Sequence, residues 1–152
     1  MPIITVETKI NAPLETCFDL ARDIGLHCAT ASHTKERAIA GITTGLINLG
    51  ESVTFEARHF GVLQRFTSRV IEFERPNYFA DEMTRGAFKS MKHRHEFRVL
   101  GAQTLMKDTL IWVSPFGLVG ILFDKILLEK HMRDFLIERN EKLKAVVERG
   151  SK

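Results

Sequence analysis

His93, His95 and Asp108 are the residues of this chain best suited to chemistry. An imidazole whose tautomer is fixed by a carboxylate serves as a general base near neutral pH, which makes His95 and Asp108 the candidate catalytic pair. A His-x-His pattern on a strand also turns both imidazoles to one face, the beginning of a metal site. No third ligand follows at a familiar spacing, so neither a metal nor a cofactor is expected.

The pairing rests on a turn signal. Gly101-Ala102 reads as a two-residue hairpin loop, and residues whose numbers sum to 203 then lie opposite one another. Phe97 faces Met106, His95 faces Asp108, His93 faces Leu110, and Met91 faces Trp112. Lys92, Arg94, Glu96 and Arg98 fall on the opposite, solvated side. A second turn at Phe60-Gly61 aligns Val53, Phe55, Ala57 and His59 with Val62, Gln64, Phe66 and Ser68. His59 and Gln64 are thus polar groups on an otherwise apolar surface. Buried polar groups cost roughly 1–3 kcal/mol each unless hydrogen-bonded, so this inner face needs an account. Three are open: a satisfied internal network, the lining of a ligand pocket, or a metal site.

The elements that must hold these side chains are legible in outline. Ile3–Ile10 alternates as a half-buried strand. Asn11-Ala12-Pro13 starts a helix with Asn11 as its N-cap, and Asp23-Ile24-Gly25 ends it. The stretch 27–50 reads as a long loop with one short edge strand near Arg37–Ala40. Five strand-like runs follow, at 52–59, 62–73, 77–84, 88–100 and 103–114, separated by short turns. Either Phe79, Asp81 and Met83 or Ala80 and Glu82 point inward from the third of them. No proline interrupts a long helix from Leu118 to about Glu148, whose apolar first half is expected to fill the grip of the sheet. The fold class is α+β: a curved antiparallel sheet around a long C-terminal helix, in a single domain over residues 1–152.

Composition narrows the function. The 152 residues are 44% hydrophobic and 27% charged, with a net charge of +3, too small an excess to argue for nucleic acid. The basic strip Lys89, Lys92, Arg94 and Arg98 is interrupted by Glu96 and has no stacking aromatics beside it. Cys17 and Cys28 have no metal-like spacing and do not make a disulfide scaffold. The alternating N-terminus is unlike a signal peptide, and the apolar run Phe116–Phe123 is too short to span a bilayer, so a cytoplasmic location is expected. Eleven Phe against one Trp and one Tyr leave two possibilities, a solid greasy core or a greasy cavity.

Several motifs stand out: Ile10-Asn11-Ala12-Pro13 before Phe18, Arg58-His59-Phe60-Gly61 with Gln64, and Pro76-Asn77-Tyr78-Phe79-Ala80-Asp81-Glu82. Arg85-Gly86-Ala87-Phe88, His93-Arg94-His95-Glu96-Phe97, Thr104-Leu105-Met106-Lys107-Asp108 and Pro115-Phe116-Gly117 complete the set. Together they resemble the SRPBCC, or START-like, superfamily, and in particular its small bacterial stand-alone members of the polyketide cyclase/dehydrase-like group. Ala87 stands where a proline is expected and Met91 where a larger aromatic is common. The resemblance implies a helix-grip fold with a deep cavity for an apolar ligand of lipid, polyketide or aromatic type. Phe55, Phe66, Met91, Phe97, Met106, Leu110, Trp112, Phe123 and Leu127 would then supply its walls. His59, Gln64, His93, His95 and Asp108 would orient a polar head.

Three functions fit: a binding protein without turnover, a cyclase or dehydratase using His95 as general base, and a protein-interaction module, a homodimer included. The cavity mouth is expected among the 27–50 loop and the hairpin ends near Gly61 and Gly86.

Overall fold

A computed structural model describes residues 1–150. Among them, seven strands form one sheet: β1 (Ile3–Ile10), β2 (Arg37–Gly41), β3 (Ser52–His59), β4 (Val62–Glu74), β5 (Tyr78–Arg85), β6 (Ser90–Leu100) and β7 (Gln103–Val113). Their order is β1-β7-β6-β5-β4-β3-β2, with every neighbouring pair antiparallel. Register shifts between Thr67 and Ser68 and between Val70 and Glu72 bend the long β4, as bulges do. The sheet curls around the C-terminal helix. This is the helix-grip α+β architecture, as the sequence implies.

Both hairpin registers match the turn argument. Phe97 pairs with Met106, His95 with Asp108, His93 with Leu110 and Met91 with Trp112. Phe55 pairs with Phe66 and Ala57 with Gln64. Glycines at the turns take positive φ, 73° at Gly61 and 60° at Gly101, which a side chain would resist. The face of β5 is settled by its neighbours. Phe79 packs in the core, and Asp81 points inward to hydrogen-bond Ser68 and His95.

Three helical expectations are corrected. Helix α1 (Leu14–Ala21) is capped at Pro13 without a side-chain bond. Asn11 instead ties the chain ends together: its N–H donates to Glu148 Oε2 at 2.8 Å, and its Oδ1 accepts from Gln103 Nε2 at 2.8 Å. The first helix does stop before Asp23, but the reading of 27–50 as loop fails at its start, because Asp23 caps a second helix, α2 (Ile24–Thr30), accepting the Leu26 N–H at 3.0 Å. The long helix is also not uniform. It runs as α3 (Gly117–Phe123), a π-helical turn at Asp124–Leu128, and α4 (Glu129–Gly150).

The grip closes on α4 rather than on the apolar half. Leu136, Arg139, Asn140, Leu143 and Val147 form its buried stripe at helical spacing, continued by Leu128 at the end of the π-turn. Leu118 is 85% exposed and Val119 72%, and Ile121, Leu122, Ile126 and Leu127 are exposed with them. The π-turn resets which side faces the sheet. Its Asp124, only 3% exposed, accepts hydrogen bonds from Trp112 Nε1 at 3.0 Å and Ser114 Oγ at 2.6 Å, pinning the segment to β7.

The core divides into three clusters. Phe18 meets Phe73, Phe79 and Phe97 edge-on, with Met106, Leu143 and Val147 around them. Ile4, Val6, Leu110, Trp112, Leu128 and Leu136 make the second, and Ile24, Ile47, Val53, Phe55 and Val70 the third.

Candidate functional site

Between these clusters lies a cavity of about 530 Å³. Phe55, Phe66, Met91, Leu110 and Phe123 give it apolar walls. His59, Gln64, His93 and His95 also line it. The remaining five candidates stand elsewhere. Phe97 and Met106 lie under α1 in solid core, because the sheet curvature seats Phe18 on top of them. Trp112 is turned toward Asp124, the partner its indole N–H requires. Leu127 is 48% exposed, on the outer side of the π-turn. Asp108 sits behind the histidines and Arg139 and does not itself line the cavity.

The polar end is one connected network. His93 Nε2 and His95 Nδ1 both stand 2.9 Å from Asp108 Oδ1, and their rings stack at 3.8 Å between centroids. An ionised carboxylate only accepts, so each ring nitrogen facing it carries the hydrogen. Asn140 Nδ2 donates to Asp108 Oδ2 at 2.7 Å, and Arg139 Nη2 lies 3.7 Å from Oδ1. On its far side, His95 Nε2 meets Asp81 Oδ2 at 3.1 Å, and Ser68 Oγ donates to Asp81 Oδ1 at 2.7 Å. Phe79 stacks on the other face of the His95 ring at 4.3 Å. Arg139 continues the chain to His27 Nδ1 at 3.4 Å, and His27 Nε2 meets Glu36 Oε1 at 2.6 Å. Among the described residues, no buried side-chain nitrogen or oxygen lacks a partner.

Electrostatics separates the two stacked rings. Burial, then the neighbouring His95, pushes His93 down to about 4 despite Asp108. Burial acts on His95 the same way, but Asp108 and Asp81 outweigh it and raise its pKa above the usual histidine value. Of the pair, His95 is the one that takes the proton. Burial alone would raise both carboxyls; their histidine partners win, holding Asp81 at about 2 and Asp108 well below the ordinary range. Burial followed by the charge of its neighbour His131 lowers His59, whose Nδ1 is 2.8 Å from His131 Nε2.

The rim is apolar and open. Phe60, Phe116, Val119 and Phe123 line the cavity while remaining 50%, 75%, 72% and 41% exposed. The Gly61 hairpin therefore borders the mouth as expected, facing α3. From the 27–50 loop, Ile47 lies inside at 5% exposed and does not form the mouth.

Sequence reasoning missed His27, Glu36, Ser68, Asp81, His131, Met132, Phe135 and Arg139 as cavity residues. The last four were within reach: 128, 131, 132, 135, 136 and 139 recur at i+3 and i+4 spacing, one face of a helix. His27 and Glu36 carry no comparable signal, because α2 and the residue leading into β2 meet only in the folded chain.

No family model matches the chain, and no curated protein does. Solved structures match over nearly its whole length. A protein from Thermus thermophilus superposes with a TM-score of 0.82 at 20% identity, covering 99% of this chain and 100% of that one. A START superfamily protein from Mycobacterium smegmatis gives 0.72 at 17% identity, over 97% of each chain. The major latex-like protein 151 of Panax ginseng gives 0.66 at 12% identity, over 95% of each. The fold of this chain is thus the START-like fold. No helix among the described residues is long and apolar enough to cross a membrane.

Proposed function

We propose that this protein binds one small, mostly apolar molecule between sheet and C-terminal helix and holds it without turnover. The observation that carries this reading is the 530 Å³ cavity, within the usual size of ligand sites, with apolar walls and a connected polar network at one end. The apolar body of the ligand packs on Phe55, Phe66, Met91, Leu110 and Phe123. Its polar group is oriented by His93 and His95, with Gln64 and His59 further along the wall. Asp108, Phe97, Met106 and Trp112 support these residues from behind, and Asp108 fixes the imidazoles it touches. The fold of the START-like neighbours supports the architecture and names no ligand.

The test is organic extraction of protein purified without detergent, followed by mass spectrometry. The reading expects a small amphipathic molecule at a fraction approaching one per chain. An empty protein that also fails to bind added fatty-acid analogues overturns it.

A second reading, an acid–base enzyme of cyclase or dehydratase kind, draws support from His95 standing between Asp81 and Asp108. On that reading, His95→Gln abolishes turnover of an identified substrate. Unchanged turnover removes His95 from the chemistry.

A further inference from the structure

Asp81 supplies what the sequence lacked. One ring nitrogen each from His93 and His95 and one carboxylate oxygen from Asp81 lie within 4.8 Å of one another. We propose that these three residues form a binding site for a divalent transition-metal ion of the zinc or iron(II) kind, with its open coordination positions facing the cavity. Two imidazole nitrogens and one carboxylate oxygen are the donor set such ions prefer, and Mg²⁺ and Ca²⁺, which favour all-oxygen sites, do not match it.

The spacing is right for ligation. Two donors roughly 2.0 Å from one tetrahedral ion stand about 3.3 Å apart. His95 Nε2 and Asp81 Oδ2 are already 3.1 Å apart, so an ion takes the place of the hydrogen now between them, and the displaced proton goes to water. His93 then has at most roughly 1.5 Å to close, from the 4.8 Å bound that the three donors share.

The supporting groups are also in place. Metal-bound histidines and carboxylates are ordinarily held by outer hydrogen bonds that fix their orientation. Asp108 Oδ1 stands 2.9 Å from His95 Nδ1, the nitrogen turned away from Asp81, and Ser68 Oγ holds the other Asp81 oxygen at 2.7 Å. Asp108 itself is anchored by Asn140. An ion can reach the donors, because the Asp81 and His93 side chains are 28% and 12% exposed. With three protein ligands, the ion keeps room for one oxygen donor from the cavity: water, or a hydroxyl, carbonyl or carboxylate of a bound molecule.

The site does not depend on the ligand-binding reading, and the experiment separates them. Delipidated full-length protein, free of any affinity tag, is titrated with Zn²⁺ by calorimetry and with Co²⁺ by absorption. The proposal expects about one ion per chain and Co²⁺ d–d bands of an N/O-ligated site. His93→Gln and Asp81→Asn each weaken binding at least tenfold, while Asp108→Asn weakens it by about ten- to a hundredfold through the outer shell. Binding kept intact in His59→Gln and in His131→Gln assigns the ion to the proposed residues rather than to the rim. Circular dichroism confirms that each variant is folded; should Asp81→Asn unfold, paramagnetic broadening of the His93 and His95 ring signals by Co²⁺ in wild type gives the same answer. No stoichiometric uptake, or uptake unchanged in His93→Gln and Asp81→Asn, overturns the proposal. Either outcome leaves the extraction result for the apolar ligand unaffected.

Discussion

The two ends of the cavity break the ordinary arrangement of apolar inside and polar outside, and they do so in opposite directions. At the inner end, Asp81, His93, His95, Asp108, Arg139 and Asn140 are packed together away from bulk water. At the rim, Phe116 and Val119 stand in it, and Leu118, Leu122 and Ile126 on the adjoining flank are exposed with them. The first arrangement costs desolvation and persists because every buried group is partnered. The second leaves hydrophobic stabilisation unused, since these side chains bury little against the chain itself. The sheet has room for one stripe of the C-terminal helix. It takes the α4 stripe, which carries Arg139 and Asn140 into the network, and the π-turn at Asp124 leaves the greasier α3 outside. Regions that forgo stability in a protein are places to look for function.

This contrast can be broken most forcefully at its centre. Asp108→Ala strands His95, Asn140 and Arg139 without their shared acceptor. Removing one member of a buried charged network should cost about 3–5 kcal/mol, read from urea unfolding. Leu118→Ala and Leu122→Ala on the exposed flank should stay within about 0.5 kcal/mol in the same assay. An equal loss at both ends would mean that α3 is packed in solution. Next in size is the joint between the ends. Trp112→Phe leaves buried Asp124 with Ser114 as its remaining side-chain donor, and should cost about 1–3 kcal/mol in thermal unfolding.

A smaller effect follows from pH. His59 has its pKa lowered in the folded protein, so the unfolded chain takes up that proton first as pH falls. The contribution of His59 should be level above about pH 6.5, the ordinary histidine value, and decline below it, whereas His95, with its raised pKa, acts on the other side of that value. His59→Phe should flatten part of that decline, and NMR should place the His59 and His131 midpoints below about 6.5. Smallest is a surface effect. Ile126→Ser should leave the unfolding midpoint unchanged and shorten retention on a phenyl matrix, because Ile126 is 63% exposed.

How much of this was legible in the sequence differs between the same two ends. The turn dipeptides Phe60-Gly61 and Gly101-Ala102 fix register, and register with a period of two fixes which residues share a face. That suffices to place His93, His95 and Asp108 together. It cannot orient Asp81, because β5 offers apolar residues at both Phe79 and Ala80, and both are buried. Helix α2 is hidden by Gly25, His27 and Thr30, poor helix formers that tertiary contacts hold in place. The apolar run 116–123 looks like core by composition. Its exposure is decided by competition with α4 for the sheet, a comparison that no local pattern contains. The Phe excess resolves both ways: Phe18, Phe73 and Phe97 make solid core, while Phe55, Phe66 and Phe123 face the cavity.

The central claim is that the space between sheet and helix is a binding site with a polar end. Its most direct test is titration of a fluorescent fatty-acid analogue into wild type, Ala57→Phe and His93→Phe, each verified as folded. Ala57 lines the cavity and is buried, so phenylalanine there fills the space. The account predicts saturable binding of one probe per chain, at least tenfold weaker when the cavity is filled and weakened again when His93 no longer meets the head group. Equal binding by all three proteins, or none by wild type, would contradict it.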